Sequence, residues 1–154
     1  MDPALRAKIL QLLDEHRIMS LATLRPDGWP QATTVAYISE GLTLFFTCSR
    51  ESQKAHNLAA DNRVSLTIDR DTPDPMAITG LSMAARVHPV GDAGLIRRIM
   101  FELLPAKYPE YRTMMAGADL QGMAVFRVEP EVISVLDYSK GFAHTDLVSL
   151  AAAA

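Results

Sequence analysis

The spacing of apolar and polar positions along this chain changes period several times, and each change marks an element. Leu5, Ile9, Leu12 and Leu13 recur at helical spacing behind Asp2 and Pro3. That predicts an amphipathic helix over 3–16, with an aspartate N-cap and a proline in the first turn. The period then shortens to two. Residues 18–24 read as a strand, Arg25-Pro26-Asp27-Gly28 as a turn, and 31–39 as a second strand with β-branched Thr33, Thr34 and Val35. Glu40-Gly41 makes a tight connection to a third strand over 42–47. A short helix follows over 52–60, and Arg63-Val64-Ser65-Leu66-Thr67-Ile68-Asp69 alternates as a fourth strand.

The second half is less regular. Asp71-Thr72-Pro73-Asp74-Pro75 is a break, and residues 76–89 predict a long strand with Gly80 as a bulge. A helix over 92–104 would bury Leu95, Ile96, Ile99, Met100 and Leu103, and an irregular helical segment follows over 105–115. Strand signals at 122–128 and 131–137 are interrupted at Pro130. Short Asp-Gly and Glu-Gly connections cannot serve as parallel crossovers, which need about a dozen residues. The expected fold is therefore mainly β, a closed or split β-barrel with peripheral helices. No Gly-x-Gly-x-x-Gly fingerprint supports a dinucleotide-binding alternative.

Composition narrows the setting. With 154 residues, 49% apolar and 21% charged, the chain suits one packed domain, assigned to 1–150, with 151–154 a disordered alanine tail. A net charge of −3 argues against nucleic acid as a partner. No apolar run approaches the roughly 20 residues that span a bilayer, and no signal-peptide core is present. Cys48 is the one cysteine and can form no internal disulfide, so a cytoplasmic location is expected.

Candidate chemistry concentrates between Thr47 and Asn57, where Thr47-Cys48-Ser49-Arg50-Glu51-Ser52-Gln53-Lys54 joins an apolar strand to a helix start. Hydroxyls and cations gathered at unpaired backbone N–H groups and a positive dipole end form a phosphate site. Lys54 reads as a solvated helix lysine or as the phosphate's partner, and Ser49 and Ser52 would cap the helix or contact the anion. Cys48 lacks a resolving cysteine or His-Asp partners, which favours a packed thiol over a nucleophile. The four histidines, His16, His56, His88 and His144, lack ligand spacing, so no metal is expected.

The order of these signals resembles the FMN-binding split-barrel family, also called pyridoxamine 5′-phosphate oxidase-like. Leu21-Ala22-Thr23-Leu24-Arg25-Pro26-Asp27-Gly28-Trp29-Pro30, then Thr47-Cys48-Ser49-Arg50, Lys54-Ala55-x-Asn57-Leu58 and Asn62-Arg63-Val64-Ser65-Leu66 carry the resemblance. It implies a homodimer with FMN at the subunit interface. Thr33, Thr34, Val35 and Ala36 would lie along the flavin ring, Thr47 and Ser49 near the ribityl chain and phosphate, and Ser52, Gln53 and Lys54 on the phosphate. Thr33 stands where the type enzyme carries an arginine, whose charge Arg50 would supply instead, and Thr79 would send a polar side chain toward the flavin. Tyr138 and Lys140 are candidates for substrate or partner-subunit contact.

The same resemblance argues against the vitamin B6 reaction. Ile38 stands where those oxidases carry a lysine for the substrate phosphate, Leu136 where they carry a tryptophan, and no Arg-x-His follows Tyr138. The leading expectation is an FMN-binding oxidoreductase acting on a small-molecule substrate or electron donor, with no assigned catalytic residue. The alternatives are a non-catalytic flavin-binding or stress-associated protein, and an F420- or haem-binding relative.

Overall fold

Side-chain alternation puts Met19, Leu21 and Thr23 of β1 (Ile18–Leu24) on the same buried face as Val64, Leu66 and Ile68 of β5 (Arg63–Asp69). The computed structural model describes residues 1–114, 117 and 120–150. Besides those two strands it contains β2 (Pro30–Ala36), β3 (Ile38–Glu40), β4 (Thr43–Ser49), β6 (Thr79–Pro89), β7 (Met123–Asp137) and β8 (Thr145–Ser149). The hydrogen-bonded order is β2-β1-β5-β6-β7-β4-β3, with β8 added to β7, and every pairing is antiparallel. Because β3 follows β2 after one residue, the path starts and ends on one bent segment. The sheet thus curls into a split barrel.

Inside lies an apolar core containing Leu21, Phe46, Leu66, Leu81, Val128 and Ile133. Helix α1 (Pro3–Glu15) adds Ile9, Leu12 and Leu13, and its start is capped as expected, Asp2 accepting from the Leu5 N–H at 2.9 Å. A second apolar cluster, built on Ile38, Phe45 and Val125, lies under the helical segment from α3 (Ala93–Arg98) to α4 (Leu104–Lys107). No helix among the described residues is long and apolar enough to cross a membrane.

Four expectations are corrected. The strand expected over 31–39 is broken at Tyr37, whose N–H donates to the Tyr108 hydroxyl at 3.1 Å instead of to a neighbouring strand. Tyr108 in turn bonds the Tyr37 carbonyl, so one side chain fixes both backbone groups at the bend. Gly80 is not a bulge. It pairs in register with Asp69, and an added Cβ would lie 2.8 Å from Ile68 O, so glycine permits a close strand approach there. The register shift falls instead between Ala84 and Ala85, opposite Pro130, which cannot donate to the ladder. Pro130 therefore bends β7 without interrupting it.

The helix expected over 92–104 continues to Lys107 through a π-helical turn at Ile99–Leu103, just ahead of Pro105, and α5 (Tyr111–Met114) follows. Strand β8 was not expected. The expected end of the irregular segment at Met115 and the alanine tail over 151–154 lie outside the described residues.

Candidate functional site

The junction between β4 and α2 (Gln53–Ala60) is built by short-range bonds. Ser52 N–H donates to Ser49 O at 3.1 Å, and the Glu51 N–H donates to Ser49 Oγ at 3.2 Å. Ser52 is the N-cap: its Oγ accepts from the Ala55 N–H at 3.2 Å and lies 2.8 Å from Ser49 O. That leaves the N–H groups of Gln53 and Lys54 without a partner among the described residues, at the positive end of the helix. The half-buried Lys54 ammonium forms no hydrogen bond or ion pair among them either. A free cation and two free donors on one helical turn form a receptor for an oxyanion.

A buried clamp fixes this turn against the sheet. Asn57 is fully buried, its Oδ1 accepting from Gln53 Nε2 at 2.9 Å. Its Nδ2 donates to Thr23 Oγ1 on β1 at 3.0 Å and to Gln31 Oε1 on β2 at 3.1 Å. The clamp therefore joins α2 to the two strands at their Leu24–Pro30 end. Sequence reasoning assigned Asn57 no role. Its signal was an amide one helical turn after Gln53, on the side that otherwise buries Leu58.

Of the strand predicted to meet a ring, Val35 is buried, Thr34 faces outward and Ala36 is half-buried. Thr33 Oγ1 is buried and has no partner among the described residues. Among the described residues strand β2 ladders with β1 alone, so the backbone of its other edge faces the split in the barrel. Thr47 is half-buried near the end of β4, two residues before Ser49 and on the same face of the strand.

The predicted residues fall into two groups. Thr33 to Ala36, Thr47, Ser49, Ser52, Gln53 and Lys54 belong to β2, to the end of β4 and to the α2 start that follows it, which the Asn57 clamp ties to β2. Thr79 does not join them. It pairs with Asp137 beyond the Asp69 end of β5, roughly 20 Å of strand away from the clamp. Tyr138 lies beside it, its N–H donating to Ile78 O at 3.0 Å, and its ring meets Phe142 edge-on at 5.7 Å.

Lys140 is close by and donates to Asp146 at 2.7 Å. That bond raises the Lys140 pKa and lowers that of Asp146. Arg50 is tied to the segment that leads into β7: its N–H donates to Gly122 O at 2.9 Å and its Nε to Gln121 O at 3.0 Å. Ile38 is 4% exposed inside the outer apolar cluster and cannot meet a substrate phosphate.

A family model described as pyridoxamine 5′-phosphate oxidase matches residues 5–137. The chain is 23% identical over 133 residues to general stress protein 26 of Bacillus subtilis (strain 168), spanning 86% of this chain and 89% of that protein. Its fold is similar to that of HutZ, the haem storage protein of Vibrio cholerae (TM-score 0.68, 21% identity, 81% of this chain and 89% of that one). It is also similar to that of an FAD-binding protein of Mesorhizobium loti (TM-score 0.66, 17% identity, 88% of this chain and 94% of that one). At these identities the structural likeness is one of fold.

Proposed function

The chain belongs to the pyridoxamine 5′-phosphate oxidase family, and we propose that it is a homodimeric, FMN-binding oxidoreductase whose substrate differs from the B6 vitamers. The observation that carries this reading is Lys54 beside two N–H groups, all three without a partner among the described residues, next to the open edge of β2. One cation and two donors match a single phosphate monoester dianion. Ser52, Gln53 and Lys54 hold that phosphate, Thr47 and Ser49 meet the ribityl chain, and the backbone of Thr33, Thr34, Val35 and Ala36 borders the ring. The orphaned Thr33 hydroxyl gains a partner there. Arg50 is left out because its Nε is tied to Gln121 O, on the segment that leads into β7.

When bound, FMN supplies hydride and electron transfer, which needs few protein groups beyond those that bind and orient. The buried Ile38 removes the phosphate handle of a B6 substrate.

Two features support a second copy as the partner. The outer sheet face carries a row in register, Thr34, Ser20, Thr67, Ser82 and Ser134, flanked by Ala32, Ala22, Ser65, Ala84 and Val132. Such a flat face of small side chains suits face-to-face sheet packing. Thr79, Tyr138 and Lys140 lie too far from Lys54 to serve the same flavin, so they would serve the partner's. The single cysteine fits a reducing cytoplasm.

The test is the visible spectrum of purified protein after reconstitution with FMN and desalting. Retained flavin bands and NAD(P)H-dependent reduction are expected. A colourless protein, or a Soret band in the protein as purified, would overturn the reading.

A further inference from the structure

Arg50 follows the last residue of β4 and stands between two apolar clefts. On one side, Ala55 and Leu58 of α2 with Val87 and Phe126 of the barrel core border a cleft of about 200 Å³. On the other, Ile96, Met100, Leu120, Met123 and Val125 border one of about 230 Å³. Arg50 lines both.

An arginine that only covers apolar surface lays down its stem and leaves its head free in water. Here Nε is tied to Gln121 O at 3.0 Å and the backbone N–H to Gly122 O at 2.9 Å, so the head and the backbone that carries it are both anchored. The two terminal nitrogens take no partner among the described residues, and no carboxylate pairs with them there. An anchored guanidinium fork beside an apolar cleft combines bidentate recognition of an oxyanion with burial of an apolar body.

We infer that the outer cleft is a binding site for an amphipathic monoanion, a carboxylate on an apolar chain, of which a medium-chain fatty acid is the simplest member. The carboxylate takes the free terminal N–H groups of Arg50. The chain lies along Ile96, Met100, Met123 and Val125, where two thioethers adapt to its shape. Among the described residues Arg50 is the one charged group that borders the cleft, so one negative charge matches it. The site is distinct from the phosphate cradle at Lys54 and does not depend on what that cradle holds.

Methyl-labelled methionine in the full chain, with and without FMN, reads the site directly. Octanoate should shift the Met100 and Met123 methyls and leave Met19 and Met83, inside the barrel core, unmoved. Octanol should bind at least about tenfold more weakly, since it lacks the charge that the fork recognises. Arg50→Gln and Arg50→Met should each weaken octanoate by a similar factor while FMN retention is unchanged. Equal binding of octanol and octanoate would reduce Arg50 to a surface cover and overturn the inference. So would an absence of methyl shifts, or loss of FMN from the Arg50 variants, which would return the arginine to the flavin site.

Discussion

Asn57 on α2 donates to Gln31 on β2 at 3.1 Å, and this one bond ties the helix that begins with Lys54 to the strand with an open edge. The two residues are 26 apart in sequence and belong to different layers. Their contact converts two separate sequence signals into one site.

Asn57→Leu keeps the size of the side chain and removes all three of its bonds. It leaves the buried Thr23 hydroxyl and the Gln31 amide without their donor. A loss of about 2–3 kcal/mol in urea unfolding is expected, together with weaker FMN retention. Gln31→Ala should lose less, because Thr23 still satisfies Asn57.

Tyr108→Phe removes the hydroxyl that accepts the Tyr37 N–H and bonds the Tyr37 carbonyl at the bend between β2 and β3. Both backbone groups are buried with Tyr37, which is 0% exposed. The variant should lose about 2 kcal/mol in denaturant unfolding. Unchanged stability would mean that the bend is held by other contacts.

Gly80→Ala places a methyl 2.8 Å from the Ile68 carbonyl oxygen, a backbone atom that cannot rotate away. The strands must separate locally, at a cost of about 1–3 kcal/mol by thermal or urea unfolding. Gly91→Ala, where an added Cβ meets nothing within 4 Å, is the control and should be near neutral.

Stability should rise with pH between about 8 and 10. Burial pulls the Lys107 ammonium from 10.5 down to about 8, with Asp14 opposing the shift and Arg17 reinforcing it. Between those values the unfolded chain binds more protons than the folded one, so raising the pH favours folding. Below about pH 8 both states are protonated and the slope from this residue vanishes. Burial raises the Tyr37 and Tyr108 hydroxyls above their ordinary 10.0, so as the pH nears 10 the unfolded chain loses these protons first and the rise levels off. The difference in unfolding free energy between wild type and Lys107→Met, measured across the window, should carry the slope.

What was legible in the sequence was local. The Asp2 cap, the alternation of β1 and β5 and the Ser52 helix start each depend on neighbours within a few residues. The bend at Tyr37 was not legible, because the group that makes it comes from Tyr108, 71 residues later. The same is true of Asn57, whose strand partners are 34 and 26 residues away. Strand β8 escaped because Val148 is its only buried residue and Leu147 is exposed, so no alternation announces it. At Pro130 the local rule pointed the wrong way: a proline that should end a strand sits at a bulge and lets it continue.

The most direct measurement of the central claim is an FMN titration of the wild-type chain and Lys54→Ala, followed by flavin fluorescence at fixed ionic strength. Loss of a charge-assisted phosphate contact should weaken binding about ten- to one-hundredfold. Riboflavin, which lacks the phosphate, should bind both proteins equally weakly. If Lys54→Ala binds FMN as tightly as the wild type, or if wild type does not distinguish FMN from riboflavin, the start of α2 is not the phosphate site.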